Sequence, residues 1–92
     1  MELFDVVDRH CNIRFLKTNC NFRECGKPPE KEMLIFEMTM NTAKKKDIIS
    51  LYLCREHYRE MEKALEGVIG RFRNGRVYRI KQTDDTIDVI KY

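Results

Sequence analysis

The apolar residues of this chain change their spacing along its length, and the changes mark out its elements. Met33–Met40 (MLIFEMTM) alternates, with Leu34, Phe36, Met38 and Met40 on one face and Glu37 and Thr39 on the other. A period of two predicts a half-buried strand. Ile48–Leu53 (IISLYL) predicts its partner, with Ile49, Leu51 and Leu53 sharing a face, and the polar run NTAKKKD between them is long enough for a hairpin loop. From Arg55 the period lengthens. Tyr58, Met61, Leu65, Val68 and Phe72 recur at three- and four-residue steps, one stripe of an amphipathic helix, while Glu56, Arg59, Glu60 and Lys63 fall largely outside it. Gly67 and Gly70 weaken the last turns of that helix, and Asn74–Gly75 ends it or turns the chain.

The flanks are less regular. In residues 1–19, Leu3, Phe4, Val7 and His10/Cys11 fit one helical face, whereas Asn12–Lys17 (NIRFLK) alternates like a strand. A short helix or extended arm followed by a strand is expected there. Next comes a turn-rich loop, CNFRECGKPPE, in which Gly26 can take a positive φ and Pro28–Pro29 block both helix and central-strand continuation. At the other end RVYRIK and TIDVIKY read as two short strands around QTDD. The whole is an α+β pattern.

Length and composition narrow the class. Ninety-two residues suggest one domain. A chain of this size buries only somewhat more than about 60% of its unfolded surface, so its margin is thin without an added staple. Charged residues make up 36% and glutamine occurs once, at Gln82, a thermophile-like balance. No 18-residue apolar run exists to span a membrane, and MELFDVVDRH lacks the basic start of a secretory signal, so an intracellular, cytoplasmic location is expected. In that setting four cysteines point to metal or to reduced thiols rather than disulfides.

The candidate chemistry follows from where these donors fall. Cys20 and Cys25 flank the tight loop, Cys54 ends the second hairpin strand, and His57 lies in the first helical turn. Residues i and i+3 on a helix share a side, with Cβ atoms roughly 5–6 Å apart. A loop pair and a helix pair together make a tetrahedral Cys3His set, a closed site that is structural rather than catalytic, with Zn²⁺ as the expected ion. The competing reading makes the three cysteines buried small hydrophobes and His57 a surface residue. Against it, Cys20 and Cys25 sit in polar loop sequence, where burial alone explains nothing. Cys11 is expected as a core cysteine and His10 as a surface or packing residue. If either joined the set, His57 is the member expected to leave. Three thiolates and one Zn²⁺ would change the formal charge from +3 by −3 and +2, to about +2.

A knuckle with two ligands, a β-hairpin, then two ligands opening a helix is similar to the treble-clef zinc finger. The matching residues are Cys20 and Cys25 in CNFRECGKP, and Cys54 and His57 in LCREH. The resemblance covers roughly residues 18–72. It leaves residues 1–17 as an N-terminal arm or strand and residues 76–92 as a C-terminal β-hairpin. The commonest knuckle has two residues between its cysteines and this one has four, which widens the loop. Some treble-clef relatives are HNH-type nucleases, and that resemblance would demand a catalytic histidine on the hairpin. Residues 33–53 contain none, and no phosphate loop or nucleophile–base motif is visible, so catalysis is not expected.

Partners are read from local charge. RFRNGRVYRIK, residues 71–81, holds Arg71, Arg73, Arg76, Arg79 and Lys81 without an acid, with Phe72 and Tyr78 interleaved. Such cations pair with phosphates and aromatic faces stack on bases, and Lys44, Lys45 and Lys46 in the hairpin loop could add a second contact. The competing reading is a solvated basic face with Phe72 and Tyr78 in the core, partly neutralised by Asp84, Asp85 and Asp88. Two function classes follow. One is a zinc-binding, nucleic-acid-binding module for DNA or RNA, with a regulatory role. The other is a zinc-stabilised protein-interaction or homodimerisation module, supported by TIDVIKY and by surplus apolar strand residues such as Ile35 and Tyr52.

Overall fold

The computed structural model describes residues 2–12, 18–39 and 44–83. The order of elements is α1 (Glu2–His10), β1 (Lys31–Thr39), β2 (Lys45–Leu53), α2 (Arg55–Ala64), β3 (Phe72–Arg73) and β4 (Arg76–Thr83). All strand pairs are antiparallel and the sheet order is β2-β1-β4-β3. β1 is therefore flanked on both sides along its length, while β3 is a two-residue edge piece. No helix among the described residues is long and apolar enough to cross a membrane.

The two faces of the sheet differ. On the inner face Met33 and Ile35 of β1 and Leu51 and Leu53 of β2 are fully buried. They pack with Leu3 and Val7 of α1 and with Tyr58, Met61 and Leu65 of the α2 region in one apolar cluster. Fully burying one such aliphatic side chain stabilises the fold by roughly 1.5–3 kcal/mol. On the outer face β1 presents Glu32, Leu34, Phe36 and Met38. This reverses the expected parity of β1, since Leu34, Phe36 and Met38 are not the residues that face the helices. The strand is apolar on both parities from Met33 to Phe36, so Glu37 and Thr39 are poor guides to which side is inward. In β2 the expected face, Ile49, Leu51 and Leu53, is the inner one.

A bulge interrupts the β1–β2 ladder: Ile35 lies opposite Ile49 and Phe36 opposite Asp47, which leaves Ile48 as the extra residue. β2 also begins earlier than its apolar run, at Lys45, so Lys45 and Lys46 belong to the strand rather than to the loop.

α1 realises the helical alternative for the N-terminus, with Leu3, Val7 and Cys11 following one another at four-residue steps into the core. Phe4 is 40% exposed and lies off that stripe. Residues 13–17 of the expected NIRFLK strand lie outside the described residues, as do Met40 and TIDVIKY.

α2 ends at Ala64 with Leu65 as its C-cap, before either glycine of the predicted stripe. Gly70 then takes a left-handed conformation (φ 81°) that redirects the chain, so Phe72 starts β3 instead of continuing the helix. Asn74 and Gly75, both at positive φ (53° and 75°), form the two-residue turn between β3 and β4. Two consecutive positive φ values match the strand twist at a tight hairpin. β4 pairs with β1 along its length and with β3 at its start; the C-terminal residues expected as its hairpin partner lie outside the described residues.

Candidate metal centre

The loop from Cys20 to Pro29 is folded by its own backbone and by its neighbours. Cys20 N–H donates to the Lys27 carbonyl (2.9 Å) and Cys25 N–H to the Phe22 carbonyl (3.2 Å). Together these bring the two thiols to one side. The left-handed residue in this turn is Glu24 (φ 65°) rather than Gly26. Asn21, 1% exposed, ties the loop to β2: its N–H donates to the Tyr52 carbonyl (2.7 Å), and its Oδ1 accepts the Tyr52 N–H (2.9 Å). Arg23 ties the loop to α1, with its N–H on the His10 carbonyl (2.9 Å) and its guanidinium on the Asp8 carbonyl (3.1 and 2.7 Å). These contacts satisfy carbonyls that a helix end leaves open.

The second half of the centre comes from the β2–α2 junction. Cys54 is the N-cap of α2 with extended backbone (φ −70°, ψ 164°), and its side chain makes no capping bond. The Arg55 N–H is taken instead by the Glu30 carboxylate (2.9 Å). This frees the Cys54 sulfur to face His57.

The ligand atoms of Cys20, Cys25, Cys54 and His57 all lie within 4.8 Å of one another. The His57 Nδ1 is 3.3 Å from Cys54 Sγ and 3.6 Å from Cys20 Sγ, and Cys25 Sγ is 3.9 Å from Cys54 Sγ. A tetrahedron with metal–sulfur bonds of about 2.3 Å and metal–nitrogen bonds of about 2.05 Å has edges of about 3.8 Å between sulfurs and about 3.6 Å between sulfur and nitrogen. These three distances lie within about 0.3 Å of those edges. A disulfide needs sulfurs about 2.05 Å apart, and all four cysteines are free. The residues therefore form a Cys3His set that could hold one metal ion.

The surroundings suit such an ion. Cys20 and Cys54 are buried, Cys25 and His57 half-buried. Burial pushes the Cys20 thiol up to about 12, while N–H groups of Cys54 and Phe22 aimed at its sulfur act in the opposite direction. A cation placed among the sulfurs would supply the charge that the buried thiolate lacks. The Phe22 ring stacks on the His57 imidazole, with centroids 4.0 Å apart and planes within 4°. That stacking fixes the plane in which Nδ1 points. Neither Asn21 nor Phe22 was singled out by sequence; the aromatic inside the knuckle was the available signal for Phe22, and Asn21 offered none.

Neither spare donor joins the set. Cys11 is 2% exposed, pairs its backbone with Phe22, and has its thiol pushed up to about 12 by burial. His10 donates its Nδ1–H to the Val6 carbonyl (3.0 Å) and tilts against Phe22.

The basic residues are spread over both faces. Arg71 is exposed in the loop before β3, and Arg73 lies in β3 opposite Arg76. Arg76, on the inner-face parity, approaches Glu37 at 3.9 Å. Arg79 and Lys81 are exposed opposite Phe36 and Leu34 on the outer face. Lys44, Lys45 and Lys46 are exposed, and the Lys45 ammonium lies 5.6 Å from the Phe36 ring centroid. The two aromatics of this segment part company: Tyr78 is half-buried against the core, whereas Phe72 is 56% exposed.

Fold and site together define a small α+β protein with a candidate Cys3His metal centre. No family model matches the chain, and no curated protein or solved structure matches it.

Proposed function

We propose that the ion is zinc and that the chain is a treble-clef-like zinc module that binds nucleic acid. The convergence of Cys20, Cys25, Cys54 and His57, with ligand atoms all within 4.8 Å of one another, carries the zinc assignment, since three thiolates and one imidazole suit that ion and leave no open position. Its role is structural. The ion joins the knuckle to the start of α2, and apparent binding energies of about 10–16 kcal/mol in isolated fingers show how much folding can rest on one such centre. With His57 in the metal set and the His10 Nδ1–H committed to Val6, no histidine remains for a nuclease-type site on the hairpin. We therefore assign the protein no enzymatic activity.

Nucleic acid is the favoured partner because exposed Arg71, Arg79, Lys81 and Lys44–Lys46 accompany an exposed aromatic, Phe72. The protein-interaction alternative loses two of its supports, because Ile35 is fully buried and Tyr52 is 8% exposed.

Metal analysis of freshly purified protein should give one zinc per chain, and chelation or Cys54→Ser should abolish cooperative unfolding. Unchanged thermal stability after complete zinc removal would refute the structural role. Binding to nucleic acid should weaken steeply with salt; binding indifferent to salt would refute the phosphate contacts.

A further inference from the structure

The outer face of the sheet forms a grid that can be read from the registers. Across the four strands Lys45, Met38, Val77 and Phe72 form one row. The next row is Asp47, Phe36 and Arg79, and the one after it Ser50, Leu34 and Lys81. Both helices contribute to the cluster on the inner face, and none of Leu34, Phe36, Met38, Val77 or Phe72 belongs to it.

These residues differ in what they can offer. Phe36 is 9% and Val77 4% exposed, so they form a floor rather than a contact. Phe72 is 56% exposed and lies opposite Val77 in the register, at the corner of the sheet. Arg79 and Lys81 follow Val77 along β4, each about 7 Å beyond the last on the same face. Among the described residues, the acids of this face lie on the other side of β1 or within it. Asp47 is exposed on β2, and Glu32 is 8% exposed and hydrogen-bonded to Tyr52. Among the described residues, the β3–β4 half of the face is thus cationic, with the exposed Phe72 ring at its end.

We infer that this half-face, Phe72 with Arg79 and Lys81, is the docking surface for a single-stranded nucleic acid, one base stacked on Phe72 and the adjoining phosphates on Arg79 and Lys81. The inference rests on the nucleic-acid reading above and adds the form of the ligand and its place on the molecule. Charge complementarity selects a polyanion for the cationic half. The exposed ring selects a strand with an unpaired base, because bases inside a duplex already stack on one another and present only their edges. Aromatic platforms joined to basic tracks are the general means of holding single strands, and stacking tolerates any base.

The test uses the full chain loaded with zinc. Fluorescence anisotropy is measured with labelled single strands of roughly 12 nucleotides, RNA and DNA, and with the corresponding duplex; one small fold covers a length of this order. The expected result is preference for a single strand of either sugar. Phe72→Ala should weaken binding roughly 10-fold or more, and Phe72→Tyr should restore most of it. Arg79→Glu with Lys81→Glu should abolish binding, and Lys63→Glu, exposed on α2, should leave it within about 2-fold. Zinc content and melting temperature, measured on each variant, certify that it is folded. Duplex bound as tightly as single strand, or binding by folded Phe72→Ala equal to the parent, overturns this inference and leaves the nucleic-acid reading standing. No binding of any of these probes at low salt overturns both.

Discussion

Asn21 is the residue on which we would test the mechanics of the knuckle. It is 1% exposed and sits directly after the first ligand, Cys20. Its Oδ1 is an acceptor for the Tyr52 N–H on the edge of β2 away from β1 (2.9 Å), and its Nδ2 donates to the Asn19 carbonyl (3.1 Å). Asn21→Ala removes both. Leaving a buried N–H without its acceptor costs about 1–3 kcal/mol, and losing the second bond about 1 kcal/mol more, so we expect a loss of about 2–4 kcal/mol. In a domain of this size each kcal/mol moves the melting temperature by roughly 4–8 °C, which predicts a fall of roughly 8–30 °C. The assay is thermal unfolding followed by circular dichroism, with free zinc held fixed for parent and variant because ligand concentration shifts the midpoint. The two backbone bonds, Asn21 N–H to Tyr52 and Asn12 N–H to the Asn21 carbonyl, survive the substitution. The measured loss therefore belongs to the side chain. A destabilisation below about 1 kcal/mol would refute the claim that this amide holds the loop on β2.

Two further outcomes follow from the same geometry. Phe22→Leu removes the ring stacked on His57 and should weaken zinc affinity roughly 10-fold, the lower end of what outer-shell partners contribute, in competition with a chromophoric chelator; an unchanged affinity would show that the imidazole is oriented by its helix alone. Cys11 holds its proton more tightly when folded, with its thiol pushed from 9.0 to about 12. That stabilisation is complete below the unfolded value and is lost as pH rises from there towards the folded one, amounting to about 1.4 kcal/mol at about pH 10. Denaturant titrations between about pH 8 and about pH 10 should show a correspondingly smaller alkaline loss for Cys11→Ala, and equal slopes would contradict burial of the thiol.

The metal set was legible in sequence because cysteines in a polar loop have no other employment and because a helical i, i+3 pair fixes its own geometry. The hairpin and the helix were legible for similarly local reasons. What misled was local pattern without tertiary context. Phe72 continues the helical stripe in sequence, yet the left-handed turn at Gly70 takes it out of the helix and onto a strand. Met33 and Leu34 are equally apolar, so alternation alone could not say which of them meets the helices; that is decided by where α1 and α2 lie. Gly26 looked like the residue for a positive φ, but it is Glu24, in the turn closed by the Cys25 N–H on the Phe22 carbonyl, that takes it. The pairing of β4 with β1 is a long-range choice that no window of neighbouring residues records.

The bulge at Ile48 makes β2 unusually forgiving at one point. Loss of that single residue would leave every cross-strand pair on either side of it unchanged, since Ile49 would directly follow Asp47 in a regular ladder. Elsewhere in the strand a one-residue deletion would exchange inward and outward side chains for the whole remaining segment. Length variation among relatives of this chain, should it occur inside a strand at all, is therefore expected at this position.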